Sequence, residues 1–192
     1  MLVLGIDVGI KTLAYCLVES ANPWQIVRWD TVCILPENEN VRKVNVESLT
    51  EFMLDKLLGL FNDSFAADVV LIENQPMLKN GLMKTMSVVI YTYFNMLKLQ
   101  FGEVKSVRFV NASNKLKCLK YGGTNMPVAK SYTDRKKAAI ALVQLYLADN
   151  CPEKVDWFKT HKKKDDLADA LLYCIYFSEK QSAAVPLTVC TQ

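Results

Sequence analysis

The chain has 192 residues, 51% of them hydrophobic and 22% charged, with 23 Lys and Arg against 20 Asp and Glu and a single His. Such a composition can bury one large core and suggests no second domain, and no run approaches the roughly 20 apolar residues of a membrane span. The six cysteines fall singly, without a C-x-x-C pair, which argues against a disulfide frame or a zinc knot and points to a reducing, intracellular compartment.

Taken in chain order, residues 2–8, 12–20 and 25–34 read as three strands, the second and third joined by a turn at Asn22-Pro23. The chain enters the first of them directly, with no basic region and cleavable apolar segment, so the protein is expected to stay on the side of the membrane where it is made. Residues 36–45 are polar loop. An amphipathic helix begins at or near Ser48, with Leu49, Phe52, Met53, Leu57, Leu60 and Phe61 on one side. A fourth strand, 68–73, ends at Glu73-Asn74-Gln75-Pro76, where proline stops it. A long helix over about 81–100 and a short strand 107–110 follow, and a strongly apolar helix opens at Asp165. An antiparallel meander followed by strands and helices predicts an α/β fold, a mixed five-stranded sheet with helices on both faces. Residues 1–180 form one domain on this reading, and 181–192 a flexible tail.

Asp7 closes the apolar run Leu2-Val3-Leu4-Gly5-Ile6, and Glu73 closes Val69-Val70-Leu71-Ile72. Both runs are continuous rather than alternating, as in strands covered on both faces. Asp166 and Asp169 lie on one face of the apolar helix by their i, i+3 spacing. An unpaired carboxylate is costly to bury, so four at the ends of core elements call for a shared counter-charge. Two Mg²⁺ ions about 4 Å apart, with Mn²⁺ as a possible substitute, would supply it and would activate a water for phosphoryl transfer. Taken singly, each acid fits a solvated strand end or a helix N-terminus. The ordered set of four carries the metal assignment.

Asp7-Val8-Gly9-Ile10-Lys11-Thr12-Leu13-Ala14 resembles the first strand and turn of the RNase H superfamily, in which D-x-G leads into a hairpin. Actin-like ATPases and sugar kinases share that opening. The later Ile72-Glu73 and the helical D-x-x-D-A-L resemble, more narrowly, the RuvC-type Holliday junction resolvases, and the length and the Lys-Lys-Lys-Asp-Asp run are most similar to the poxvirus resolvases. The resemblance covers residues 1–180. It implies an RNase H-like nuclease domain and a Mg²⁺-dependent endonuclease that cuts a four-way DNA junction symmetrically as a homodimer, working in the host cytoplasm if of poxvirus type. It also implies that Asp7, Glu73, Asp166 and Asp169 are catalytic metal ligands. In the RuvC-like pattern one lysine lies five residues before a glycine-rich turn and another shortly after it; Lys117 and Lys130 match those places around Gly122-Gly123, with Lys115 a competing alignment. The resemblance implies that Lys117 and Lys130 are catalytic, offsetting charge at the scissile phosphate, or else only position a phosphate. The alternatives are a ribonuclease acting on RNA:DNA hybrids, an exonuclease on the same fold, an actin-like phosphate-binding lobe and a catalytically silent junction-binding module.

Charge changes sign along the chain. Residues 103–164 hold 14 of the 23 basic residues and only 5 of the 20 acids, a footprint that suits a polyanion such as DNA or a solvated lysine-rich face. His161, inside the basic run before the acidic helix, reads as a loop residue or a proton carrier. Trp24 and Trp29 read as hairpin packing, whereas Tyr121, between Lys120 and Gly122, is placed to touch DNA. The helix from Lys84 to Phe101 carries more apolar surface than one sheet contact covers, which points to a dimer interface or to burial on two sides within one chain.

Overall fold

The structure, a computed structural model, describes residues 1–20, 24–37, 39–40, 43–62, 65–78, 80–118 and 131–184, with the side chains of 183 and 184 left aside. Five strands, β1 (Leu2–Asp7), β2 (Thr12–Glu19), β3 (Gln25–Cys33), β4 (Ala67–Glu73) and β5 (Val104–Val110), form one sheet in the order β3-β2-β1-β4-β5. The first three are antiparallel neighbours, while β4 runs parallel to β1 and β5 parallel to β4. Five helices accompany them among the described residues: α1 (Val46–Leu60), α2 (Gly81–Gln100), α3 (Tyr132–Asn150), α4 (Val155–Thr160) and α5 (Lys164–Ala184). None of these is long and apolar enough to cross a membrane. The predicted mixed five-stranded sheet with helices on both faces is thus present, and α5 runs four residues beyond the expected domain end at 180. The rest of the expected tail, 185–192, and the Asn22-Pro23 turn lie outside the described residues.

Side chains alternate across the sheet and so build two cores. Leu4 and Ile6 of β1 with Val70 and Ile72 of β4 join Leu49, Met53 and Leu57 of α1 and Met86, Ile90 and Phe94 of α2. Val3, Val69 and Leu71 point the other way, into a core completed by α3 and α5. Gly5 belongs to that second face. A Cβ there would stand 2.3 Å from the Ala170 carbonyl oxygen and 2.8 Å from Cys174 Sγ, so α5 is seated directly on the backbone of β1.

Two sequence expectations change. Residues 131–150 count only as part of a basic segment in the sequence reading, but they fold as the 19-residue helix α3. A reciprocal capping box starts it: Ser131 Oγ accepts from the Asp134 amide and Asp134 Oδ2 from the Ser131 amide, both at 3.1 Å. The breadth of apolar surface on α2 is mostly accounted for within the chain. Tyr93 is buried and its hydroxyl donates to the carbonyl oxygens of Phe61 and Leu57, the latter at 3.3 Å, while Phe94 packs on Phe61 and Tyr91 stacks on Phe109. Val88, Met96 and Leu99 are left as an exposed stripe, 43%, 58% and 83% accessible.

Candidate active site

Sheet register brings the first two acids together. Ile6 is paired with Ile72 across the parallel β1–β4 ladder, so the next residues, Asp7 and Glu73, end neighbouring strands at one level. Both fall on the face that α5 covers, since Leu4 and Ile6 occupy the other. After Asp7 the chain must turn at once into β2, and a Cβ on Gly9 would stand 2.0 Å from the Thr12 carbonyl oxygen. Only glycine fits that turn.

Helix α5 supplies the facing wall, with Asp166, Asp169 and Tyr173 three and four residues apart on one side. Its start is pinned from the far edge of the sheet. The Trp29 indole N–H donates to the Leu167 carbonyl oxygen at 3.0 Å, and its ring stacks on Phe158 at 5.2 Å. Trp29 and Trp24, which lies against Tyr146, therefore pack against helices. His161 shapes the turn before α5: Nδ1 accepts from the Lys163 amide at 3.1 Å and the ring lies against Trp157.

A lysine completes the cluster. Beyond β5 a short 3₁₀ turn, Ala112–Lys117, is fastened to α5 by Cys118 Sγ, which donates to the carbonyl oxygens of Lys115 at 3.3 Å and Leu172 at 3.8 Å. From this turn the Lys115 ammonium reaches the Asp169 carboxylate, the two side chains only 15% and 14% exposed. Lys117 stays within its own turn, exposed and 3.2 Å from Asn114 Oδ1. The competing alignment, Lys115, is the lysine that meets the acids. Lys130, with Tyr121, Gly122 and Gly123, lies outside the described residues.

Burial and crowding of like charge set the electrostatics. Asp7 is held well above the usual carboxylate range, first by burial, then by a hydrogen bond to Glu73 and the charges of Glu73 and Asp169, with Lys115 opposing. Asp169 is pushed up to about 6: burial is the largest cause, Glu73 and Asp166 add to it, and the Lys115 pair offsets it only in part. Asp166 is raised by burial and by Asp165, against Lys163 at 3.5 Å. Burial works to lower Lys115, but Asp169, Glu73 and Asp7 outweigh it and hold the ammonium charged. One lysine facing three carboxylates leaves the cluster short of positive charge.

The acids line a cleft of about 490 Å³ that also takes in Lys115 and, from the first turn of α3, Tyr132, Arg135 and Lys136. Lys136 is tied to Asp165 at 2.5 Å, and Arg135 is exposed at the rim. Acidic and basic side chains line the same cleft. Carboxylate oxygens alone form the donor set, which suits a hard cation such as Mg²⁺ rather than zinc. Among the described residues no three such side chains already surround one point, and Asp169 is engaged by Lys115. The residues fit a divalent ion in chemistry and in charge. Sequence reasoning missed Tyr132, Arg135, Lys136 and Tyr173; the Ser131–Asp134 capping box and the i+4 spacing of Tyr173 from Asp169 were the available signals.

Such a sheet, with strand order 3-2-1-4-5 and a helix crossing its first strand, is the RNase H-like fold of the RuvC-type resolvases. The fowlpox virus resolvase, solved with its substrate Holliday junction DNA, is similar with a TM-score of 0.62 and 18% identity over 96% of this chain and 100% of that one. The yeast mitochondrial Holliday junction resolvase gives 0.60 and 19% over 94% and 80%. Thermus thermophilus RuvC with its Holliday junction substrate gives 0.62 and 14% over 96% and 97%. By sequence, residues 1–179 match the poxvirus A22 protein family, and the chain belongs to that family. It is also 32% identical over 173 residues to an uncharacterised protein of Acanthamoeba polyphaga mimivirus, a match that covers 81% of this chain and 41% of that longer relative.

Proposed function

We propose that this chain is a divalent-metal-dependent endodeoxyribonuclease that resolves four-way DNA junctions by paired, symmetric incision. The observation that carries the reading is the meeting of Asp7, Glu73 and Asp169 in one cleft, with Asp166 beside them, while α3 and the 3₁₀ turn bring Arg135, Lys136 and Lys115 to the same cleft. Membership of the poxvirus A22 family supports it.

Asp7, Glu73, Asp166 and Asp169 are the residues that would hold the metal, Mg²⁺ in this reading with Mn²⁺ as a substitute. When bound, the ions supply a nucleophilic water and stabilise the leaving oxygen. Lys115 lies within reach of the same acids and offsets charge developing at the scissile phosphate. Arg135 and Lys136 grip the sugar–phosphate backbone at the cleft mouth, contacts that position a duplex arm without reading its sequence. Lys117 and Lys130 serve as further backbone contacts.

Junction symmetry asks for two active sites. A homodimer provides them, and the exposed stripe Val88, Met96 and Leu99 on α2 is its interface. Residues 1–184 act as one nuclease unit, in a reducing compartment, the host cytoplasm for a poxvirus-type protein. Free thiols at Cys16, Cys33, Cys118, Cys151 and Cys174 agree with that setting.

The test compares cleavage of a four-way junction, a linear duplex of the same sequence and an RNA:DNA hybrid in Mg²⁺. Cleavage of the junction at least tenfold faster than of either control is the expected outcome. Equal cutting of hybrid and junction would replace this reading with a ribonuclease.

A further inference from the structure

One polar group beside the acids has no part in that chemistry: the phenol of Tyr173. It lies on α5 one turn past Asp169 and two turns past Asp166, with 1% of its surface exposed. The Lys115 ammonium stands 5.9 Å from its ring centroid. Its hydroxyl has no hydrogen bond of good geometry among the described residues. Burial, then the charges of Glu73, Asp7 and Asp169, hold the phenol far above its usual range, and a contact with Glu73 adds the smallest share. Together these describe a hydroxyl buried among the acids with no bond of its own.

A buried hydroxyl without a partner is destabilising, and phenylalanine would fill the same space without that cost. The oxygen therefore needs a use. A carboxylate that gives one oxygen to a metal leaves the other free to swing, and metal sites commonly fix that second oxygen with a hydrogen-bond donor. Lysine in this place would bring a competing positive charge. A phenol donates a hydrogen bond while remaining neutral.

We propose that Tyr173 is a positioning residue of the metal site, its hydroxyl donating to the Glu73 carboxylate and so fixing the oxygen that Glu73 presents to the ion. The inference rests on the reading of the acids as metal ligands. Tyr173 acts through Glu73, so its removal weakens the metal's hold and leaves DNA affinity alone.

The experiment is calorimetric titration of the DNA-free full chain with Mn²⁺, for wild type and Tyr173→Phe, which keeps the ring beneath Lys115 and removes only the oxygen. Mn²⁺ binding about fivefold weaker in the variant is expected, with the half-saturating metal for junction cleavage raised by a similar factor. Turnover at saturating metal should stay within about threefold, and junction affinity in EDTA should not change. Equal Mn²⁺ affinities overturn the inference while leaving the ligand assignment intact. A wild type that binds no Mn²⁺ overturns both. Should the variant melt lower, the Mn²⁺-induced rise in Tm above each protein's own EDTA baseline makes the same comparison, and equal rises again overturn it.

Discussion

The two faces of the sheet use the same strands for opposite purposes. On the α1–α2 face, Leu4, Ile6, Val70 and Ile72 meet Leu57, Ile90 and Phe94 in an apolar core, with the Arg28 guanidinium packed on Tyr15 and Phe61. On the α3–α5 face the alternate residues begin as core, with Val3, Val69 and Leu71, and finish as Asp7 and Glu73 at the strand ends. One residue of shift along a strand exchanges the two environments. Each face has its own core, and only the α3–α5 face ends in crowded carboxylates whose burial works against folding.

That division can be broken most sharply at Asp7. Asp7→Asn should lower junction cleavage about a thousandfold or more, the scale on which loss of a central electrostatic group acts, while junction affinity holds or improves because a negative charge near phosphate is gone. Near-normal cleavage by this variant would remove Asp7 from the chemistry. On the opposite face, Phe94→Ala should cost about 3–5 kcal/mol in denaturant melts yet leave turnover per folded molecule unchanged. A fall in turnover at full folding would mean that the two faces are not independent. Met96→Glu, on the outer stripe of α2, should weaken self-association tenfold or more in sedimentation without lowering Tm; Tyr93 and Leu97 are buried, so charges there would unfold the protein instead.

Smaller effects sharpen the contrast. Asp169 has its folded pKa raised to about 6, above the ordinary 3.8, so the folded state binds the extra proton between those values. Its destabilising contribution is full above pH 6 and is lost as pH falls toward 4. In EDTA, therefore, Tm should rise by a few degrees from pH 7.5 to 5, and Asp169→Asn should flatten that rise. An equally steep rise in the variant would assign the effect elsewhere. Arg135→Ala should reduce the slope of log affinity against log salt by about one unit for one lost phosphate contact, and an unchanged slope would make Arg135 a solvated rim residue.

Much of the fold was legible because continuous apolar runs have few ways to be buried. The runs ending at Asp7 and Glu73 could only be strands covered twice, and the sheet places them side by side. α3 was harder. Its lysines and Arg135 drew attention to charge, while the apolar spacing of Ala139, Leu142, Val143, Tyr146 and Leu147 was diluted by polar neighbours. Lys115 and Lys117 could not be separated by counting toward the glycines, since what selects Lys115 is the anchoring of its turn to α5 by Cys118, a contact across 54 positions of sequence. Tyr173 was hidden for a similar reason. In a helix as apolar as α5 an aromatic residue reads as core, and its hydroxyl gains meaning only once β4 is known to end beside it.

Gly5 carries a consequence for precision. Its Cα sits under the Ala170 carbonyl, two residues before Asp7 on the strand and one after Asp169 on the helix. Main chain rests on main chain at that point, with no side chain free to change rotamer between the two. The spacing of Asp7 and Asp169 is therefore set by the stiffness of a strand and a helix, and its tolerance is that of a backbone contact rather than of a packed side chain. Adding a single methyl group at Gly5 would act as a shim: it would lift α5 and move both helix acids together, leaving every ligand present and the gap between them wrong.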